Sequence, residues 1–388
     1  MKYLAVLGRL PKISLAELES QFRNVMRKTD ELGIFESYGE EKPEIGRLGG
    51  VLKLGEELPR GFNSLVEFLE ELLEGKITLG VSDFRKGASA RKAQAEALKL
   101  KKILQRRGRS VRVLQNKTAV LSTATSHHNQ LAEKKNHVEI MMTDFGNFKL
   151  IGVQNISEYK KRDQVRPARD AKVGMLPPKL AQILINLCGK LPEGARVLDP
   201  FCGTGVVLQE AVLDGYRVMG TDLSERMVEY SERNLKWLLE RETEAELTKK
   251  EKCGIMKRCS DYILFSGDAT EVEWTAKIDA VATEVFLGRP MSNPPAEVKL
   301  KEEKLTCRTI ILGFLKNLGE QVETGTPVVI AVPAWLREGG EYSRLNILDE
   351  IRGLGYNVVS FKNLSQEDLL YYREGQIIAR EIIVLRKK

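Results

Sequence analysis

Apolar positions along the first 155 residues alternate between strand-like runs and helix-like stripes. The opening segment Met1–Arg9 reads as a strand, its apolar part too short for a signal peptide. Ser14 and Glu17 have the spacing of a capping box, which predicts a helix from there to about Arg27. Gly49-Gly50 then opens an apolar strand, Val51–Leu54. A helix near Leu65–Leu73 leads to strand Ile77–Val81. Between Ala88 and Arg106, Ala93, Ala97, Leu100 and Leu104 recur at helical spacing and form one buried stripe. Lys92, Lys99, Lys102 and Arg106 lie off that stripe and face outward. With further strands at Val111–Leu114, Val138–Met142 and Phe148–Val153, the pattern predicts two small α/β units, residues 1–60 and 61–155.

A charged connector, residues 156–178, follows, and Pro177-Pro178 keeps the next helix from starting before about Lys179. After that helix, which runs to Leu187, the rhythm becomes strand, helix, strand, the mark of a parallel sheet covered by helices. Strands are expected at 195–199, 217–222, 262–267, 278–283, 327–333, 357–361 and 377–386. Helices are expected near 204–214, 224–238, 300–319 and 343–353. Residues 241–260 are polar, with Lys249-Lys250-Glu251-Lys252, and read as an insertion. The chain, 388 residues long, is therefore α/β throughout, with a doubly wound, Rossmann-like part at 179–388.

The chemistry concentrates in one stretch, Val197-Leu198-Asp199-Pro200-Phe201-Cys202-Gly203-Thr204-Gly205. An apolar run ends in an acid, and glycines then let the backbone come close to a ligand where a Cβ would collide. A second run, Val218-Met219-Gly220-Thr221-Asp222-Leu223, ends in an acid 23 residues after Asp199, the place of the carboxylate that takes ribose hydroxyls. Gly267-Asp268-Ala269 ends a third strand, where Asp268 has two readings: acceptor for an adenine amine, or helix N-cap. A dinucleotide fold needs a glycine where Leu208 stands, and gains little from Asp199-Pro200 at the turn. A ligand with an amine and a sulfonium gains much, because those charges need nearby oxygens. S-adenosylmethionine is such a ligand, its methionine end expected at Asp199–Gly205.

The fourth strand of such a sheet should deliver substrate groups, here Asp279–Gly288. Methylating an exocyclic amine is hard because the lone pair is delocalised into the ring. Acceptors for the amine protons favour the developing positive charge, and an aromatic face fixes the approach. Thr283 and Glu284 offer acceptors and Phe286 a face, the alternative being that Phe286 is core.

Charge adds a partner. Residues 61–170 carry 21 cationic side chains against 12 acidic ones, while the flanking blocks are near balance. Between Arg85 and Lys117 there are 12 Lys or Arg against the single Glu96, which is either a solvated face or a phosphate-binding surface. Arg85, Lys86, Lys102, Arg106, Arg107 and Arg109 are the candidates there. Five scattered cysteines fit reduced thiols in a cytosol, and Cys253 with Cys259 is a poor metal pair beside only three histidines. No run of 18 apolar residues suggests a membrane span.

The block Tyr159-Lys160-Lys161-Arg162-Asp163-Gln164-Val165-Arg166-Pro167-Ala168-Arg169-Asp170, with Gly174–Ala181 after it, resembles the linker and first catalytic helix of THUMP-domain RNA methyltransferases. The similarity is to the branch that makes N2-methylguanosine in tRNA, typically at position 10, and the Asp199–Gly205 turn is similar to that family's cofactor motif. The resemblance implies a ferredoxin-like piece at 1–60, a THUMP-like RNA-binding domain at 61–155, a linker at 156–178 and a cytoplasmic methyltransferase domain at 179–388. It adds Arg162 and Arg166 to the expected tRNA contacts and leaves any small activating subunit open. One departure stands out: the family's catalytic Asp or Asn, Pro-Pro and aromatic are replaced by Thr283-Glu284-Val285-Phe286. Either Glu284 has taken over the acceptor role, or the protein binds tRNA without methylating it; a DNA amino-methyltransferase is the third reading.

Overall fold

The computed structural model describes residues 1–38, 41–59, 62–72, 75–170, 175–244 and 261–388, and the chain divides into two compact units. Met1–Gly46 with Gly50–Ile156 forms the first; Ser157–Lys388 with Arg47–Gly49 forms the second. Cys253 and Cys259, Gly174 and most of the expected insertion lie outside the described residues.

The first unit is built on one eight-stranded sheet. Its strands are β1 (Lys2–Leu7), β2 (Arg23–Arg27), β3 (Leu32–Glu36), β4 (Val51–Glu57), β5 (Ile77–Asp83), β6 (Val111–Val113), β7 (His137–Thr143) and β8 (Gly146–Val153). They lie in the order β2-β3-β1-β4-β8-β7-β5-β6. The antiparallel β4–β8 ladder, from Lys53↔Val153 to Glu57↔Phe148, joins residues 1–60 to residues 61–155 within that sheet. Helices α1 (Pro11–Gln21), α2 (Phe62–Leu72), α3 (Ala90–Arg106) and α4 (Thr123–His128) complete the unit. The stripe on α3 is as patterned: Ala93, Ala97, Leu100 and Leu104 are all buried, packed with Leu65, Leu69, Ile77 and Leu79.

The first helix differs from expectation in extent and in what holds it. It starts at Pro11, whose fixed φ suits a first helical turn, and it ends at Gln21. Ser14 Oγ donates to the Gly50 carbonyl (2.6 Å) and Glu17 Oε2 accepts from the Gly50 N–H (2.8 Å). The supposed capping box thus satisfies both backbone groups of a distant glycine, and binds α1 to the start of β4. Arg23–Arg27 is a strand with Val25 as its buried residue, too polar to show a pattern.

A buried ion pair crosses this sheet. Lys53 Nζ on β4 donates to Glu139 Oε1 on β7 (2.6 Å), Ser126 Oγ (2.8 Å) and the Leu121 carbonyl (2.8 Å). Ser82 Oγ donates to the same carboxylate and accepts from the Leu121 N–H (2.9 Å). Burial pushes the Lys53 ammonium down, and Glu139 opposes that shift.

The second unit carries β9 (Arg196–Asp199), β10 (Arg217–Asp222), β11 (Ile263–Ser266), β12 (Ala280–Glu284), β13 (Pro327–Leu336), β14 (Tyr342–Ser343), β15 (Tyr356–Val358), β16 (Leu370–Tyr371) and β17 (Ile378–Lys387). The sheet order is β11-β10-β9-β12-β13-β17-β15, with β9 to β13 parallel and β17 antiparallel to both its neighbours. Helices are α5 (Ile156–Gln164), inside the expected connector, α6 (Pro178–Leu187), α7 (Val206–Leu213), α8 (Glu225–Glu244), α9 (Glu297–Gly319) and α10 (Leu348–Gly353). Phe314, Leu315 and Leu318 of α9 share a core with Val281, Val328, Ile330 and Trp335. From β9 the chain winds outward to β10 and β11, then returns to β12 on the other side. That reversal leaves a crevice at the carboxyl ends, the ligand position of open α/β sheets.

Removing one partner of the buried pair should be far worse than removing both. Lys53→Met is expected to cost about 3–5 kcal/mol of stability by stranding Glu139, and the double change Lys53→Met with Glu139→Gln markedly less. Urea unfolding of the single and double variants measures the difference.

Candidate active site

Asp199 ends β9 at the winding reversal and is 2% exposed. Its Oδ1 accepts from Thr283 Oγ1 on β12 (2.6 Å) and from the Phe201 N–H (3.3 Å). Burial raises its pKa to about 7, the two hydrogen bonds pulling the other way and the acids Asp222 and Glu284 adding to the rise. A carboxylate here is a group short of a cation.

The turn that follows is shaped by its glycines. Gly203 and Gly205 adopt φ of 51° and 78°, and a Cβ on Gly205 would sit 2.9–3.1 Å from Ser231. Ser231 Oγ donates to the Gly203 carbonyl (2.9 Å), and Asn234 Nδ2 donates to the Thr204 carbonyl (2.8 Å). Pro200 and Cys202 are buried beneath the turn, and burial pushes the Cys202 thiol well up. Phe201 packs edge-on against Phe314, with ring centroids 5.3 Å apart.

Asp222, at the end of β10, accepts from the Gly203 N–H through Oδ2 and from the Ser224 N–H through Oδ1, both at 2.9 Å. Each oxygen keeps a lone pair for a hydroxyl donor. Leu223 beside it is 76% exposed. Gly267 donates its N–H to the Asp222 carbonyl (3.0 Å), which brings the end of β11 alongside. Asp268 is exposed, and its Oδ1 takes both the N–H (2.8 Å) and the hydroxyl (2.7 Å) of Thr270. It caps a tight turn instead of a helix, and Oδ2 makes no hydrogen bond among the described residues. Ala269 behind it is buried.

At the end of β12 and just beyond it, the three candidate substrate residues separate. Thr283 is fully buried and its hydroxyl proton goes to Asp199, so it stands behind the carboxylate. Glu284 is held by Arg380 of β17, Nε to Oε1 at 2.6 Å, which leaves Oε2 able to accept. Phe286 is 38% exposed beside Val285 at 2%, so its ring is not core. Glu303 of α9 accepts from the Arg289 N–H (3.1 Å) and fixes the loop past Gly288, whose φ is 86°. Arg380, Ser231, Asn234 and Glu303 are not among the residues the sequence points to. Each acts across a long chain separation and has no local pattern.

The expected RNA contacts also divide. Lys86, Lys102 and Arg106 are exposed. Arg85 is bound by Asp83 through two hydrogen bonds of 2.9 Å and by Glu96 (3.2 Å), and Arg107 pairs with Glu70. Arg109 is half-buried, with one guanidinium nitrogen unpaired among the described residues. Arg162 and Arg166 are buried, at 9% and 2% exposed, against the expectation of an exposed phosphate-binding role. For Arg162 the reason is Glu210 of α7, whose two oxygens take its Nε (2.6 Å) and Nη2 (3.0 Å). Among the described residues no helix is long and apolar enough to cross a membrane.

Residues 166–303 match the family model of the RMKL-like methyltransferase domain. The tRNA (guanine(10)-N2)-dimethyltransferase of Methanothermobacter thermautotrophicus is 31% identical over 163 residues, 42% of this chain and 40% of that protein. The enzyme of the same description from Pyrococcus abyssi is 31% identical over 140 residues, 35% of this chain and 36% of its own length. The chain thus spans less than half the length of these curated relatives. A solved structure, TrmN from Thermus thermophilus, aligns over 100% of both chains at 16% identity with a TM-score of 0.46. The stretch that resembles a methyltransferase domain is the one that brings Asp199, the glycine turn, Asp222, Asp268 and Glu284 to one sheet edge.

Proposed function

We propose that this chain is an S-adenosylmethionine-dependent methyltransferase acting on the exocyclic N2 of a guanosine in tRNA, at position 10. The observation that carries the reading is the row of carboxylates, Asp199, Asp222 and Asp268, at the ends of three adjacent parallel strands inside the region that matches a methyltransferase domain. The tRNA substrate rests on the names of the two archaeal relatives, together with the exposed cations of α3. The THUMP-like role of residues 61–155 and a cytoplasmic setting belong to the same proposal.

The residues fit the cofactor. Asp199 faces the amine and sulfonium, the turn Pro200–Gly205 holds the methionine end, Asp222 takes the ribose hydroxyls with Leu223 against the adenosine, and Gly267–Ala269 takes the adenine. When bound, the cofactor supplies an activated methyl group. Glu284 Oε2 accepts a hydrogen bond from the guanine amine, favouring the charge that develops on nitrogen. Arg380 holds Glu284 in place, and Phe286 stacks on the base. Thr283 is a positioning residue for Asp199.

A second reading has a specific observation behind it. Glu284 is already ion-paired and the segment has Val285 where the family has proline, as in a protein that binds tRNA without methylating it. Labelled-methyl transfer onto total tRNA and onto DNA separates the readings: incorporation into tRNA as N2-methylated guanosine is expected. Label in DNA alone, or tight tRNA and cofactor binding with no transfer, defeats the proposal.

The cofactor assignment predicts a proton. Folding favours protonated Asp199, so its contribution to stability is complete below about pH 4 and is lost as pH rises through about 7. Asp199→Asn should flatten that profile and raise stability above pH 7 by on the order of 2–4 kcal/mol, seen in urea melts across pH. A cationic ligand draws the proton off, so S-adenosylmethionine binding below pH 7 should release about one proton. Calorimetry in buffers of different ionisation enthalpy measures it. Asp222→Ala should weaken cofactor binding by about 1.5–3 kcal/mol for each ribose hydroxyl deprived of its acceptor, read from the same titrations.

Two further outcomes concern tRNA. Glu284→Gln should lower the single-turnover methylation rate roughly 10²–10³-fold with cofactor affinity unchanged. Replacing Lys102, Arg106, Arg107 and Arg109 by Ala should flatten the salt dependence of tRNA binding in filter assays.

A further inference from the structure

Arg166 is 2% exposed, and none of its three guanidinium nitrogens has a hydrogen-bond partner among the described residues. Its acidic neighbour Glu210 is already taken on both oxygens by Arg162. The charges that act on Arg166 are Asp163 and Glu210, which favour its cationic form, and Arg169, which opposes it. Arg162 has Glu158 as a further acidic neighbour, and Arg169 is exposed, so within the cluster Arg166 is the buried guanidinium left without a bonded carboxylate. Buried cations are normally paired, and Arg166 lacks that pairing.

The chain path ties the backbone next to Arg166 to the glycine turn. Two residues beyond Arg166, Ala168 exchanges two hydrogen bonds with Asn234, N–H to Oδ1 at 2.9 Å and Nδ2 to the carbonyl at 2.8 Å. The same Asn234 amide donates to Thr204 within the turn (2.8 Å). Glu210 lies on α7, the helix that begins at Val206 where the turn ends. The segment bearing Arg166 is therefore tied to both the turn and its helix.

We infer that Arg166 binds the carboxylate of the cofactor's amino-acid end, an inference that rests on the S-adenosylmethionine reading of the site. A guanidinium presents parallel N–H donors that match a carboxylate. With Asp199 for the amine, the two buried charges are complementary to a zwitterion. A tRNA backbone phosphate is the poorer match, because such contacts come from cations at the surface.

The test titrates the full chain by calorimetry with S-adenosylmethionine and with decarboxylated S-adenosylmethionine, which lacks only the carboxylate. The parent should prefer the carboxylated ligand by roughly 10–100-fold. Arg166→Ala should bind the decarboxylated ligand as the parent does and lose the preference, while Arg166→Lys keeps part of it. Equal binding of the two ligands by the parent overturns the inference without any variant, which covers the case of an Ala variant that fails to fold. A preference that survives in Arg166→Ala also overturns it, and weakened tRNA binding in that variant then assigns Arg166 to a phosphate. Failure of the parent to bind either ligand removes the cofactor reading itself, and the inference with it.

Discussion

One hydrogen bond, from Thr283 Oγ1 to Asp199 Oδ1, spans the fork on which the second unit's site is built. The parallel ladder between β9 and β12 runs only through Ala280↔Val197 and Val281↔Leu198. Beyond it the two strands part, because one feeds the helices and strands on the left of the sheet and the other those on the right. The side-chain bond replaces the backbone pairing at the point where the strands diverge. From Asp199 the connection continues through the Phe201 N–H into the turn, and from the turn through Gly203 to Asp222. Three strand ends are thereby held in register around one opening.

The second unit contains two groups that fit poorly in a protein with nothing else to bind. Asp199 is a carboxylate whose burial favours protonation, and Arg166 is a guanidinium without a hydrogen bond among the described residues. Local rules broken in a sequence that otherwise follows them mark places where stability has been given up for function. Here the misfits are of opposite sign and lie on two elements that meet the same glycine turn. The core beside Asp199, with Phe314 packed edge-on against both Phe201 and Trp274, is apolar.

How much of this is legible in the sequence depends on how far each interaction reaches along the chain. The α3 stripe and the acids at the ends of β9 and β10 are local, and spacing alone reveals both. Ser14 and Glu17 have local capping-box spacing and a distant use, at Gly50, so pattern reading sets the wrong helix limits. The edge strand Arg23–Arg27 escapes notice because one buried valine in five residues carries no period. At the site, Glu284 and Phe286 are legible as residue types on a strand end, whereas Arg380 is 96 positions away and has no motif of its own. Arg162 and Arg166 read as surface charge because composition cannot show that Glu210 draws Arg162 inside.

The ladder between β4 and β8 also sets a timetable. Lys53 pairs with Val153, so every residue between them must be made before that part of the first sheet can close. At ~5–20 residues per second, a ribosome needs on the order of 5–20 seconds to cover that distance. Through that interval β4 has no neighbour on its β8 side, and the Lys53 ammonium waits for a carboxylate on β7 that does not yet exist. Pairings this distant close late and slowly, since the entropy of the intervening loop is lost before contacts reward it. During synthesis the first unit is thus an unfinished sheet with an open edge, the state in which a nascent chain most needs shielding from its neighbours.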